Sequence, residues 1–144
     1  MQDGTAKMSK SAENDKSRIN MTDPPKLITA KIKSAKTDDM VGLEWDDPAR
    51  PECQNLLTMY SIVTGKSKEA IADEVASMDW GTFKPLLAEA VVAHLAPYQE
   101  RYDTVMADPG ELDRVLKAGA DRANEVANET VERVRDAMGF LPPL

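Results

Sequence analysis

A long row of apolar side chains at helical spacing occupies the last third of the chain and constrains the fold more than any other feature. Spacings of three and four residues place them on one face of a single helix from Glu111 to Met138. Asp108 and Pro109 supply an N-cap carboxylate and a proline suited to the first turn. At about 1.5 Å per residue this helix is about 42 Å long, so we expect the preceding helices to cover its apolar face. The row consists of Leu112, Val115, Leu116, Gly119, Ala123, Val126, Ala127, Val131, Val134 and Met138.

Prolines typical of helix N-termini, and a glycine typical of the position after a helix end, predict two helices in the first half of the chain. Asp23-Pro24-Pro25 begins the first of them, and its apolar residues recur at spacings of four and three. Arg50-Pro51 begins the second, and Gly65 lies just past its end, where a left-handed residue often stops a helix. Between the two, the alternation over residues 41–45 predicts a short extended segment.

Two further helices are predicted before the last one. Ser67 is placed to cap a short helix, because its hydroxyl can accept a hydrogen bond from a first-turn N–H group. A longer helix is predicted to begin near residues 79–82, to tolerate Pro85 in its first turn and to run to Met106. We expect a kink at Pro97, since a proline inside a helix lacks the N–H group and clashes with the preceding turn.

These signals predict a mainly α fold, with a flexible N-terminal loop over residues 1–22 and a C-terminal bundle of about five helices over residues 23–144. A chain of 144 residues with 42% apolar side chains can bury one core. It has no apolar run long enough to span a bilayer and no signal peptide, so we expect no membrane partner and a cytoplasmic location, or an organellar matrix or stroma. The only cysteine, Cys53, is expected to be a small core residue, the only histidine, His94, is expected to be packed or partly buried, and no metal site is expected.

The formal charge of −7 is distributed unevenly along the chain. Residues 1–36 hold eight basic and four acidic side chains, whereas residues 37–144 hold ten basic and twenty-one acidic ones. Because an acidic body repels a polyanion, any RNA contact must be local. The basic first quarter of the chain is where we expect a triphosphate to bind.

Two lysines and two serines lie within five residues that follow the segment Asp3-Gly4-Thr5. Ammonium and hydroxyl groups at this spacing suit the oxygens of a triphosphate, because they oppose the negative charge that builds up as pyrophosphate leaves. Lysines and serines near a chain end usually form a solvated segment, but this pentapeptide is expected by chance in only about one in ten thousand chains of this length. Its residues are Lys7, Met8, Ser9, Lys10 and Ser11.

The pentapeptide resembles the second signature loop of class I aminoacyl-tRNA synthetases. Later stretches look like the sequence that follows this loop in bacterial and organellar tryptophanyl-tRNA synthetases, and their order separates this family from the tyrosyl enzymes, which share the pentapeptide. The resemblance implies that Lys7 and Lys10 are catalytic and that residues 7–11 bind ATP. The matching stretches are residues 31–38, 50–57, 80–84, 99–102, 112–120 and 137–140.

The same resemblance implies ATP with Mg²⁺, tryptophan and tRNA(Trp) as ligands of the complete enzyme, which is expected to be a homodimer. It assigns residues 1–22 to the end of the nucleotide-binding domain and residues 23–144 to a helical domain that binds the tRNA anticodon region. The family's His-x-Gly-His signature needs two histidines, and this chain has one. We therefore expect a C-terminal portion of a tryptophan-tRNA ligase that lacks the upstream Rossmann-type domain and the tryptophan pocket, and that is inactive alone.

Two other interpretations stay open at this point. The chain is alternatively a stand-alone helical RNA-binding or scaffolding module without catalysis, or a small helical partner protein with no RNA role. Trp45 and Trp80 are more typical of core or boundary packing than of base stacking. Three basic residues of the last helix either meet tRNA phosphates or pair with neighbouring acids along the helix: Arg114, Lys117 and Arg122.

Overall fold

Five α-helices joined by loops make up the described part of the chain, which in this computed structural model comprises residues 3–5 and 9–141. A 3₁₀ turn at Asp15–Ser17 precedes the helices, and the described residues contain no β-strand. The predicted mainly α fold with about five helices is therefore confirmed. The helices are α1 (Pro25–Lys33), α2 (Pro51–Thr64), α3 (Lys68–Val75), α4 (Trp80–Met106) and α5 (Pro109–Met138).

The helix ends lie where the cap residues predicted them. Gly65 follows α2 in the left-handed region, at φ 68°, which glycine adopts without steric cost. The Ser67 hydroxyl accepts a hydrogen bond from the N–H group of Ala70 at the start of α3. The Asp108 carboxylate likewise accepts one from the N–H group of Glu111 at the start of α5. These side chains satisfy donors that the first turn of a helix leaves unpaired.

Residues 41–45 form an irregular loop, so the prediction of an extended segment there is wrong. Gly42 interrupts the segment with a φ of 80°, and its carbonyl oxygen accepts a hydrogen bond from Arg50 at 2.9 Å. Val41 is fully exposed while Leu43 is buried. The alternation of apolar residues therefore reflects a turn that inserts Leu43 into the core rather than a strand with two faces.

The chain divides into two compact units, residues 1–99 and residues 100–144. The first unit holds the hydrophobic core, to which α1 to α4 and the loop before α2 all contribute. Burial of a Leu, Ile or Phe side chain contributes about 1.5–3 kcal/mol, so this core accounts for the packing of the first unit. Its buried residues are Ile28, Ile32, Ala35, Leu43, Cys53, Leu56, Leu57, Tyr60, Ile71, Val75, Phe83, Leu87, Ala88, Val91 and Leu95.

The second unit is formed by the last residues of α4 and by α5. No residue of α5 is buried, and Val126 in the middle of its apolar row is 76% exposed. The expectation that neighbouring helices cover this row stays a prediction. Helical spacing defines which side chains share a face, but it does not determine what covers that face.

None of the described helices combines the length and the apolar character that a membrane-spanning segment requires.

Candidate functional site

Residues 9–12 form a tight turn that presents part of the pentapeptide to solvent. The Ala12 N–H group donates to the carbonyl oxygen of Ser9 at 3.3 Å, which closes the turn around Lys10 and Ser11. The hydroxyl oxygens of Ser9 and Ser11 lie 3.1 Å apart, and all three side chains are exposed. The turn therefore offers one ammonium group and two hydroxyl groups, which are the donors that phosphate oxygens accept.

The segment before the pentapeptide is packed against the start of α2. A Cβ atom at Gly4 would lie 2.7 Å from the backbone nitrogen of Glu52 and 2.7 Å from the carbonyl carbon of Pro51. Such separations are well inside van der Waals contact, so only glycine fits here without a shift. The predicted roles of Lys7 and Met8 stay predictions, because both residues lie outside the described part of the chain.

An ion pair lies beside Gly4, where the N-terminal segment contacts the start of α2. The ammonium group of Lys36 is 2.7 Å from the Oε1 atom of Glu52. The hydrogen bond from Lys36 lowers the pKa of the Glu52 carboxyl group, and the same bond raises the pKa of Lys36. The segment that follows α1 and the start of α2 are thereby joined beside Gly4.

A cluster of charged side chains around the buried Lys31 ties the segment after the turn to α1. Lys31 of α1 is 1% exposed, and its Nζ atom lies 2.6 Å from Asp15 Oδ2 and 2.6 Å from Asp23 Oδ2. Asn20 donates through Nδ2 to Asp15 Oδ1 at 3.0 Å and to Asp23 Oδ1 at 3.2 Å. The ammonium group is thus compensated by two carboxylates, which a buried charge requires.

Arg18 connects this cluster to the turn. Its Nη1 atom donates to the carbonyl oxygen of Ala12 at 2.9 Å, and Ala12 directly follows Ser11. Its Nε atom donates to Asn20 Oδ1 at 3.2 Å, and its Nη2 atom lies 3.1 Å from Asp15 Oδ1. One planar guanidinium group therefore binds three partners at once, and the end of the turn is among them.

The pKa shifts in the cluster follow from these contacts. Burial of Lys31 favours its neutral form, but the hydrogen bonds to Asp15 and Asp23 outweigh burial and raise the pKa of Lys31. Burial also acts to raise the pKa of Asp23, and the hydrogen bond from Lys31 reverses this, so the pKa of Asp23 is lowered. The hydrogen bond from Lys31 is the main cause that lowers the pKa of Asp15.

The cations of the cluster are neutralised by its carboxylates, whereas other lysines of the same segment have no acidic partner among the described residues. Two carboxylates face the cations Lys31 and Arg18, so the cluster has no net charge. Within residues 9–36, all of which the structure describes, four lysines form no ion pair and leave positive potential at the surface of this segment. They are Lys10, Lys16, Lys26 and Lys33.

The contacts of Arg18 and Lys31 were not predicted from the sequence. The available signal was the position of Lys31, three residues after Ile28 and one before Ile32, on the apolar face of α1. A lysine on such a face is buried only when acidic partners reach it. The other two lysines of α1, Lys26 and Lys33, are exposed.

The basic residues of α5 pair along their own helix. Arg114 lies 2.5 Å from Glu111 through its Nη2 atom, and Lys117 lies 3.0 Å from Asp121. These pairs are spaced by three and four residues, as neighbours on a helix surface are. The geometry therefore favours surface pairing over a dedicated phosphate-binding row for Arg114 and Lys117.

The remaining aromatic, histidine and cysteine candidates pack as expected. Trp80 is half-buried and lies edge-on to Phe83 with ring centroids 6.2 Å apart. His94 is half-buried against Tyr98, at 5.7 Å between ring centroids. Cys53 is buried, and burial raises the pKa of its thiol, which disfavours the reactive thiolate.

Comparison with known proteins gives the same family throughout. The sequence model for tRNA synthetases class I (W and Y) matches residues 1–96. The tryptophan-tRNA ligase of Synechocystis sp. is 55% identical over 98% of this chain, and that of Parasynechococcus marenigrum is 60% identical over 96%. The chloroplastic/mitochondrial tryptophan-tRNA ligase of Arabidopsis thaliana is 53% identical over 96%.

The chain spans only part of the length of these curated relatives, namely 42%, 41% and 34% respectively. The crystal structure of tryptophanyl-tRNA synthetase from Mycoplasma pneumoniae matches 98% of this chain with a TM-score of 0.78 and 25% identity, over 44% of its own chain. The chain therefore belongs to an enzyme family, the class I tRNA synthetases of the W and Y group, in which it corresponds to a C-terminal portion of a tryptophan-tRNA ligase.

Proposed function

We propose that this chain is the C-terminal part of a ligase that activates tryptophan with ATP and transfers it to tRNA(Trp). In this role it supplies an ATP-binding turn and a helical domain that contacts tRNA. The observation that carries the proposal is the turn at residues 9–12, which presents Lys10 between two hydroxyl groups in a chain 55% identical to a tryptophan-tRNA ligase.

The proposed chemistry is an in-line displacement at phosphorus. The tryptophan carboxylate attacks the α-phosphorus of ATP, the bond to the bridging oxygen breaks, and pyrophosphate leaves with the added negative charge. Lys10 places its ammonium group against the leaving oxygens, where the charge is greatest in the transition state. Ser9 and Ser11 donate to nonbridging oxygens, and Lys7 supplies a second cation.

Mg²⁺ is proposed to reach the site on the phosphate oxygens of ATP. In the described part of the chain, no three His, Cys, Asp or Glu side chains are grouped so as to hold a metal ion. This arrangement suits Mg²⁺, which usually keeps several water ligands and binds through substrate phosphates rather than in a protein cage.

The proposed division of labour assigns residues 1–22 to the end of the nucleotide-binding domain and residues 23–144 to the helical tRNA-binding domain. Residues 100–144 hold ten acidic and six basic side chains, so contact with tRNA must rely on local positions rather than on overall charge. The tryptophan pocket and the dimer contacts of the complete enzyme are proposed to lie upstream. We place that enzyme in the cytoplasm or in an organellar matrix or stroma.

A hybrid ligase tests the proposal. In it, these 144 residues follow the upstream portion of the Synechocystis relative, and tryptophan-dependent exchange between ATP and pyrophosphate is measured. Lys10→Ala is expected to lower kcat by about 10²–10³-fold, as the loss of one group that stabilises transition-state charge does. The melting temperature should stay unchanged, because Lys10 is exposed and forms no ion pair within the described residues.

Lys16→Ala is the matched control, since Lys16 is also exposed and lies six residues away. It should exchange as the unsubstituted hybrid does. Wild-type exchange by the Lys10→Ala enzyme, or equal losses of activity and melting temperature, would overturn the proposed role. The isolated chain should show no exchange, and measurable exchange by it would contradict the requirement for the upstream portion.

The tRNA contact has its own measurement. The isolated chain is titrated with a tRNA(Trp) transcript at low salt, where charge attraction is strongest, and the titration is repeated at higher salt. Binding that weakens as salt rises supports the proposed helical tRNA-binding domain. Failure to bind at low salt contradicts it and favours a helical partner protein with no RNA role.

A further inference from the structure

We infer that Arg18 is a positioning residue that holds the end of the ATP-binding turn through the carbonyl oxygen of Ala12. The inference rests on the proposed function of the turn and adds a residue outside the pentapeptide. Arg18 touches neither Lys10 nor Ser11 by any hydrogen bond of the described structure, so it acts through the backbone that carries them.

The first step of the argument is the anchoring of Arg18. Two of its three contacts are to Asp15 and Asn20, and both of these residues also contact the buried Lys31 cluster. The guanidinium group is thus held on one side by a network joined to α1, while its Nη1 atom extends to Ala12. Movement of the turn end relative to α1 requires this hydrogen bond to break.

The second step is that placement, rather than charge, is what Arg18 contributes. Asp15 lies 3.1 Å from its Nη2 atom and compensates its charge, whereas Lys10 has no acidic partner among the described residues. A lysine at position 18 keeps the positive charge, but its three N–H bonds share one nitrogen, whereas the guanidinium group reaches Ala12, Asn20 and Asp15 from three separate nitrogens. Arg18→Lys therefore separates the two effects.

The third step concerns geometry at the reacting phosphate. A cation stabilises the leaving oxygens only if it is held close to the productive position, and misplacement by about 1 Å costs about 10²-fold. The turn at residues 9–12 has a single 3.3 Å backbone hydrogen bond across it. The bond from Arg18 to Ala12 connects this turn to the Lys31 cluster.

The experiment uses the hybrid ligase and the exchange assay described above. Arg18→Lys is expected to lower kcat by about ten- to a hundredfold, the cost of one charge-assisted hydrogen bond, with little change in KM for tryptophan or in melting temperature. Asp15→Asn should act in the same direction, because it removes the partner that orients the guanidinium group. Lys16→Met, which removes a charge from the same 3₁₀ turn, should leave kcat unchanged.

A double-mutant cycle provides the readout that a merely structural role would not move. If Arg18 acts through the turn, Arg18→Lys should cost much less in the Lys10→Ala enzyme than in the unsubstituted one, because only the placement of Ser9 and Ser11 is then left to lose. Independent losses that multiply, an equal rise in KM for tryptophan, or a matching loss with Lys16→Met would overturn the inference.

The two proposals fail in distinguishable ways. If Lys10→Ala lowers kcat and Arg18→Lys does not, the positioning role is wrong and the function of the turn stands. If Lys10→Ala has no effect, the function of the turn is wrong and the positioning role falls with it.

Discussion

The ammonium group of Lys31 lies 2.6 Å from the carboxylate of Asp23, and both side chains are almost wholly buried, at 1% and 7% exposure. The same short segment is also held from α4, because Gln99 Nε2 donates to the carbonyl oxygens of Met21 and Asp23 at 2.9 Å each. The start of α1 is therefore bound by an ion pair on one side and by two amide hydrogen bonds on the other. This arrangement connects the segment after the turn to the folded core of the first unit.

Lys31→Met should destabilise the chain by about 3–5 kcal/mol, because it leaves the Asp23 carboxylate buried without a cation. The free energy of unfolding from urea denaturation measures this effect. Lys26→Met is the matched control, since Lys26 is exposed on the same helix, and it should change stability by less than about 0.5 kcal/mol. Equal effects of the two substitutions would show that the cluster contributes nothing.

The cluster also predicts how stability depends on pH. The pKa values of Asp15 and Asp23 are lowered by folding, so their contribution is complete above the unfolded aspartate pKa of about 3.9 and is lost as pH falls through the lower folded values. The pKa of Lys31 is raised, so its contribution is complete below the unfolded lysine pKa of about 10.4 and is lost as pH rises through the folded value. The melting temperature should therefore be flat between about pH 5 and 9 for this cluster.

Asp23→Asn tests the acid side of this profile. It should reduce the fall in melting temperature below about pH 4, because one of the carboxylates whose protonation unfolds the cluster is gone. Asp46→Asn is the control, since Asp46 pairs with Lys68 at the surface and is 73% exposed. If the melting temperature of Asp23→Asn falls at acid pH as much as that of the unsubstituted chain, Asp23 does not contribute to the acid sensitivity.

Gly4→Ala should release the first described segment from α2. The added Cβ atom meets backbone atoms of Pro51 and Glu52, which cannot move as a flexible side chain does, so we expect a cost of about 1–3 kcal/mol. Amide hydrogen exchange of residues 3–5 should become faster, while the exchange of residues in the core of α2 stays unchanged.

Gly42→Ala is a suitable control for Gly4→Ala. Nothing lies within 4 Å of its Cβ position, but its φ of 80° disfavours any side chain. It should lower the melting temperature without altering exchange at residues 3–5. Slow exchange at residues 3–5 in Gly4→Ala would mean that α2 accommodates the methyl group.

The helices were predictable from sequence because their signals are local. Ser67 and Asp108 act on N–H groups three residues away, and Gly65 ends α2 by its own backbone conformation. The pentapeptide is equally local, and its described part, residues 9–11, lies in a turn of four residues that ends at Ala12. When two residues are only a few positions apart in the sequence, the sequence pattern nearly determines whether they form a hydrogen bond.

The buried charges were not predictable in the same way. Arg50, at 2% exposure, donates to Asp38 through Nε and Nη2 at 2.9 and 2.8 Å, across twelve residues. Lys31 binds Asp15 across sixteen residues of loop and helix. Which acidic residue pairs with a basic residue so far away in the sequence depends on the path of the chain in the folded protein. The spacing of residues in the sequence does not specify that path. For this reason the contacts of Arg18 and Lys31 were missed, whereas the pentapeptide is recognisable in the sequence itself.

The exposure of α5 leads to a prediction about Gly119, which lies in the middle of this helix. Nothing lies within 4 Å of the position of its Cβ atom, and its φ is not in the left-handed region. Gly119→Ala should therefore stabilise the helix by up to about 1 kcal/mol, through the smaller loss of backbone freedom on folding. Circular dichroism at 222 nm during thermal unfolding of the isolated chain measures the change. Gly139→Ala is the opposing control, because Gly139 caps α5 at a φ of 71° and an alanine there is strained. A loss of helix stability in Gly119→Ala would show that this face of α5 is packed closely against another surface in solution, since only then does the added methyl group meet a neighbour.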